Sequence, residues 1–150
     1  MSQQDVETAR RGYAMLNMAY RTGDVNDLRP FAEKFWDPDV VFEPAGVLPE
    51  SRSVHGRSDV LRFIEGQMQA FEAGTMWMKP LEYIDVGDRL VVPYRWGGRA
   101  GHTGIEMEFT FVHVITMRNG RMMRMEAFAS KSDALEAVGV SEEDAHSNAP

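Results

Sequence analysis

An α+β fold follows from the order in which two hydrophobic periods occur along the chain. Helical spacings dominate up to Gly74, as in Val6, Ala9, Tyr13, Leu16 and Tyr20. After Gly74 alternation with a period of two takes over, most clearly from Ile105 to Met117. Asn119-Gly120 then separates two alternating runs, which is a strong hairpin signal. Helices first and paired strands second predict a curved antiparallel sheet wrapped around the N-terminal helices.

The first helix is expected from Gln4 to Thr22, where Gly23 stops it. Asp27 can cap a short second helix that turns Leu28, Phe31 and Phe35 inward, with Pro30 tolerated in its first turn. Two prolines confine the next strand to the stretch between Asp37 and Glu43, with Val41 and Glu43 on one face and Val40 and Phe42 on the other. Ser58 is a plausible cap for a third helix carrying Val60, Phe63, Ile64, Gln67 and Phe71 on one face. Strands are expected from Met76 to Asp85 and from Arg89 to Trp96, around a Gly87-Asp88 turn, with Pro93 marking an edge or a bulge. Gly97 to Gly104 reads as a flexible connection. Arg121 to Ala129 pairs back on the long strand, and Ser130 to Val138 forms a last helix whose Ser130 and Asp133 make a capping box.

The 150 residues fit one domain, expected over residues 1–140, with a polar tail from 141 to 150. The formal net charge of −7 and the lack of a basic patch argue against nucleic acid or an anionic membrane as partner. With no cysteine, thiolate metal sites and cysteine nucleophiles are excluded. The four histidines show no H-x-H or H-E-x-x-H spacing, so no metal site is expected. The N-terminus carries no signal-peptide pattern and no apolar run approaches a membrane span, so a cytoplasmic location is expected. Eleven methionines suit soft core filler or a pliable apolar pocket.

Two polar residues interrupt apolar rows. His113 shares the inward face of the long strand with Ile105, Met107, Phe109, Phe111 and Ile115. It is either a neutral core histidine with one hydrogen-bond partner or a pocket-lining donor or acid. Glu43 stands among apolar residues directly before Pro44. It is either a solvated strand-end carboxylate or a desolvated base in the same cavity as His113. The concave space between sheet and helices is the expected pocket, lined by Tyr13, Leu16, Tyr20, Phe63, Phe109, Phe111, His113 and Met125. On the last strand Met125, Ala127 and Ala129 are assigned to the pocket and Glu126 to the outer face. His55, before the third helix, and His102, in the Gly-rich connection, read as loop residues, and Tyr94 and Trp96 as packing residues. The opposite face of the long strand carries Val112 and Val114, an apolar pair that suggests a homodimer interface.

The helix end at Gly23-Asp24, FWDPDVVFEPAG, VHGRSDVLRFI, GHTGIEMEFTFVHVITMRNGRMMRMEAF and SDALEAVGV occur in an order and spacing that resembles the SnoaL-like polyketide cyclase and ketosteroid isomerase-like branch of the nuclear transport factor 2-like superfamily. The resemblance implies a cone-shaped, cystatin-like α+β barrel, a homodimer and a deep apolar pocket. It implies a cofactor-independent enzyme that moves a proton on an apolar, carbonyl-bearing molecule, as an isomerase, cyclase or hydrolase. Glu43-Pro44 falls where ketosteroid isomerases carry their base, and His113 where they carry an oxyanion donor. Leu16 replaces their first-helix tyrosine, which leaves the hydroxyl to Tyr13 or Tyr20, and Ser130 stands at the acid/base position of the cyclases. The second function consistent with the fold is a non-catalytic binding protein for a lipophilic small molecule.

Overall fold

A computed structural model describes residues 1–44, 52–141 and 146–148. Helix α1 (Gln3–Thr22) begins at Ser2, whose side chain accepts from the Asp5 N–H, and ends at Gly23 in the left-handed conformation. A 3-10 turn (Val25–Asp27) leads into α2 (Arg29–Phe35). The capping side chain here is Asp24, which accepts from Asn26 N, and not Asp27, which accepts from the Thr22 hydroxyl instead. Strand β1 (Trp36–Glu43) and the short β2 (Val54–His55) precede α3 (Arg57–Met68). That helix starts one residue before Ser58, because Gly56 at a φ of 88° turns the chain into it without a side-chain cap.

The expected strand from Met76 to Asp85 is two strands, β3 (Trp77–Pro80) and β4 (Tyr83–Asp85), both paired with β5 (Arg89–Arg99). Pro93 explains how β5 tolerates the break. Its carbonyl faces that side and accepts from Leu81 N, so its missing N–H falls in the gap between β3 and β4. Gly97 and Gly98 belong to β5 rather than to a flexible connection. A Cβ on Gly97 would collide with the Met107 carbonyl oxygen of the neighbouring strand, so only glycine lets the two backbones pair there. Strand β6 (Glu106–Arg118) and β7 (Arg121–Phe128) form the expected hairpin, with Asn119 and Gly120 both at positive φ. Helix α4 (Lys131–Ala137) follows, with the Ser130 side chain accepting from Asp133 N as the capping box requires. Residues 146–148 form β8, which pairs with β4, where a loose tail was expected; 142–145, 149 and 150 lie outside the described residues.

The sheet runs β2-β1-β7-β6-β5-β4-β8, with β3 also on β5. Two expectations are corrected. The sheet is mixed rather than antiparallel, because β1 lies parallel to β7. Its pairing path is also open, with β2 and β8 at the ends, so it curves without closing into a barrel. The main core joins α1, α2 and α3 to the concave face, through residues such as Tyr13, Leu28, Leu61, Leu90 and Ile115. A second apolar cluster lies on the convex face, where Ala134, Leu135 and Val138 cover Ile84, Val91, Val112 and Val114.

That second cluster corrects the proposed dimer face. Val112 and Val114 are only 3% and 1% exposed, because the chain's own last helix covers them. An apolar row on the outer face of a sheet needs a cover, and α4 supplies it within one chain. Among the described residues no helix is long and apolar enough to cross a membrane.

Candidate functional site

Register decides which side chains meet on the concave face. In β6 against β5, His113 pairs with Val92 and Phe111 with Tyr94; in β6 against β7, His113 pairs with Ala127 and Ile115 with Met125. Phe42 of β1 pairs with Met125, which puts it on the same face. Two adjacent apolar cavities, with several lining residues in common, open between this face and the helices. The larger, about 100 Å³, is lined by Tyr13, Leu16 and Tyr20 from α1, Phe63 and Ile64 from α3, and His113, Ile115 and Met125 from the sheet. The smaller, about 50 Å³, is lined by Met76, Tyr94, Trp96, Phe111 and Ala127. Tyr20, Phe42, Gln67, Met78 and His113 belong to both.

His113 is 4% exposed and sits where the two lobes meet. Tyr94 stacks on its ring with centroids 4.0 Å apart, and Phe42 presents an edge at 6.4 Å. Tyr13 Oη lies 2.8 Å from His113 Nδ1. Burial lowers the imidazole pKa from the ordinary 6.5 to about 3, because a charged ring would lose its hydration here. The ring is therefore neutral near pH 7. Burial also raises the pKa of Tyr13, Tyr20 and Tyr94, which keeps all three hydroxyls protonated. The protonated Tyr13 hydroxyl has no other acceptor among the described residues, which assigns it as donor to Nδ1 and puts the proton of the neutral ring on Nε2. Nε2 makes no hydrogen bond to a described residue, so an N–H donor is available at the junction of the lobes.

Glu43 is not part of this arrangement. It pairs with Glu126, whose neighbour Ala127 pairs with His113, so Glu43 and His113 stand on opposite faces of the sheet. On the convex side Glu43 forms an ion pair with Arg124, which also approaches Glu126 at 3.5 Å, and accepts from Ser53 at 3.1 Å. The expected shared cavity is corrected: alternation on a strand separates neighbours by face, and Arg124 draws the carboxylate outward. Among the described residues no carboxylate lines either lobe.

The remaining candidates divide by position. Tyr13, Leu16, Tyr20, Phe63 and Met125 line the larger lobe, while Phe111 and Ala127 line the smaller. Phe109 lines neither; it stacks on Trp96 at 5.0 Å and beside Phe111 at 6.0 Å, farther out along the strand. The inward row ends in exposure, with Ile105, just before β6, 62% accessible and Met107 38%. Ala129 is exposed and lines neither lobe. His55 and His102 are exposed and lie away from the cavity.

Three residues of consequence escaped the sequence reading as site residues. Tyr94 was read as packing, although its alternation with Leu90, Val92 and Trp96 puts it on the His113 face. Gln67 was placed on an inward helical face, but nothing local shows that it reaches a cavity. Asn17 joins α1 to β3. Its amide donates to Met78 O at 2.7 Å and Tyr13 O at 3.1 Å, and accepts from Met78 N at 2.8 Å. One side chain thus pairs with the outer edge of β3 as a strand would, and fixes the turn of α1 that carries Tyr13.

Curved sheet, internal helices and an apolar pocket between them define a nuclear transport factor 2-like α+β protein. Residues 10–125 match the SnoaL-like domain, and the chain belongs to that family. Among solved structures, an NTF2-like protein of unknown function from Burkholderia pseudomallei K96243 is 26% identical, over 92% of this chain and 98% of that one, with a TM-score of 0.65. TerC, crystallised with polyporic acid, is 24% identical over 91% and 99% of the two chains, at a TM-score of 0.65. A candidate SnoaL-like polyketide cyclase from Jannaschia Sp. CCS1 is 17% identical over 94% and 97%, at 0.68. No curated protein matches the chain significantly. At the level of the family, these relatives point to a small-molecule enzyme or binder.

Proposed function

We propose that this protein binds a lipophilic small molecule with one oxygen function, a carbonyl in the simplest case, which accepts from His113 Nε2–H. The observation that carries this is the Tyr13–His113 hydrogen bond inside a mainly apolar cavity. A polar pair in such a place is stabilised when a ligand satisfies its remaining donor.

The second reading is enzymatic: cofactor-independent proton transfer on the same carbonyl compound, in which His113 and Tyr13 polarise the carbonyl. The free ring N–H favours it. The base is its weak point. An imidazole with a pKa about 3 lies some four units below neutral pH, so holding a substrate proton there costs about 5 kcal/mol. His113 is suited to donating a hydrogen bond, not to taking a proton, and Glu43 faces the other way. Binding without turnover is therefore the stronger reading.

Calorimetric titration with small aryl ketones tests it. Binding at micromolar Kd should stabilise the wild type by roughly 2.7 kcal/mol at a hundredfold excess over Kd. Leu16→Trp, which fills the larger lobe, should abolish both heat and stabilisation. Absence of binding to any ketone or hydrocarbon of this size contradicts the proposal. Exchange of α-protons into deuterated water, lost in His113→Phe, would instead select the enzymatic reading.

A further inference from the structure

The junction of the two lobes holds a second polar side chain. Gln67 projects from α3 and lines both lobes, opposite the strand that carries His113. Its amide makes no hydrogen bond to a described residue. The other shared residues are Phe42, Met78 and Tyr20, so the junction is apolar except for Gln67, His113 and the Tyr20 hydroxyl. Gln67 is half-buried, so its amide, with two donors and an acceptor, stays open to solvent beside these apolar groups until a ligand takes that place. Helix and sheet thus each bring one neutral hydrogen-bonding group to the same narrow place, while each lobe beyond it is lined mainly by apolar side chains.

Size limits what fits. An apolar cavity of roughly 150 Å³ accommodates a benzene ring. The larger lobe, at about 100 Å³, is tighter than that, but Met78, Met117, Met122 and Met125 line it and can swing aside for a single ring, and the smaller lobe of about 50 Å³ suits a short carbon arm. A molecule spanning both lobes puts its middle, not its end, at the junction.

We propose that Gln67 is a specificity-determining residue of this cavity: together with His113 it brackets one oxygen at the junction, and so selects molecules whose carbonyl lies between a ring and a short alkyl arm. The inference rests on the binding reading above and adds the position of the oxygen within the ligand. Alkyl aryl ketones are the simplest members of the class. A pure hydrocarbon of the same shape would leave both polar groups unsatisfied, and a carbonyl at the far end of the arm would lie inside the smaller lobe, away from them.

The test compares butyrophenone with butylbenzene by calorimetry at pH 7, in the wild type and in Gln67→Leu and Gln67→Met. Both variants keep similar volume and good helix propensity. The wild type should prefer the ketone by roughly tenfold, the size of one net hydrogen bond. Both variants should lose at least about threefold of that preference while binding butylbenzene as well as before. A preference that survives in both variants overturns the role of Gln67 and leaves the binding reading intact. Failure of the wild type to bind either compound overturns the binding reading and this inference with it. The wild-type side-chain amide of Gln67, followed by nitrogen-resolved NMR, gives an answer even if neither variant folds: butyrophenone should shift it and butylbenzene should not, and equal responses reject the proposal.

Discussion

Acidification from pH 7 to pH 4 should cost the wild type roughly 3 kcal/mol of stability through His113 alone, rising to about 4 kcal/mol near pH 3. The sign follows from proton counts. Burial holds the folded-state pKa at about 3, against 6.5 for an ordinary imidazole. Between those values the unfolded chain binds a proton that the folded chain refuses, so stability falls as pH falls through that window and is unaffected above it. His113→Phe alone would leave the Tyr13 hydroxyl without its partner, at about 1–3 kcal/mol. The informative variant is therefore Tyr13→Phe with His113→Phe, which removes donor and acceptor together. Urea midpoints from pH 7 to 4 should fall much less steeply in the double variant than in the wild type. Parallel slopes would mean that His113 is hydrated and titrates normally.

The other large effect concerns the convex face. Val114→Lys should destabilise the protein by roughly 3–5 kcal/mol, because it puts an unpaired charge into the cluster of Val91, Val112, Leu135 and Val138. Thr110→Lys, on the same face of the same strand but exposed, should change stability by no more than about 0.5 kcal/mol. The contrast separates two meanings of an apolar sheet face. A patch awaiting a second subunit would accept lysine in the isolated chain and lose only association. A patch already covered by α4 loses folding stability. Equal urea midpoints for the two variants would reopen the face as an interface.

What the sequence made legible was local. The first helix, the Asn119-Gly120 hairpin and the two faces of β6 are each specified by residues close together in the chain, and all three stand in the structure. His113 was singled out because an imidazole in an apolar row violates the strand pattern. Its partner Tyr13 lies 100 positions away in the chain, but the helix–sheet layering made the meeting foreseeable. The misreadings involve non-local pairing. Whether Glu43 faces inward depends on β1 lying parallel to β7, a register set between segments far apart, and on Arg124 being within reach on the convex side. The cover over Val112 and Val114 depends on where α4 packs, and its short apolar stripe fits either a surface or a sheet. Gln67 and Asn17 act through groups on other elements, the open junction in one case and the Met78 backbone in the other, and no spacing along the chain encodes either.

The most direct measurement is nitrogen NMR of histidine-labelled protein at pH 7, with and without butyrophenone. A neutral ring protonated at Nε2 should be seen in the free protein, from the hydrogen bond between Tyr13 Oη and His113 Nδ1 at 2.8 Å. Saturating ketone should shift Nε2 of His113, leave Nδ1 nearly unchanged and leave the exposed His55 and His102 unaffected. A charged ring in the free protein, or binding that leaves the His113 resonances where they were, would contradict the cavity-centred reading of this protein.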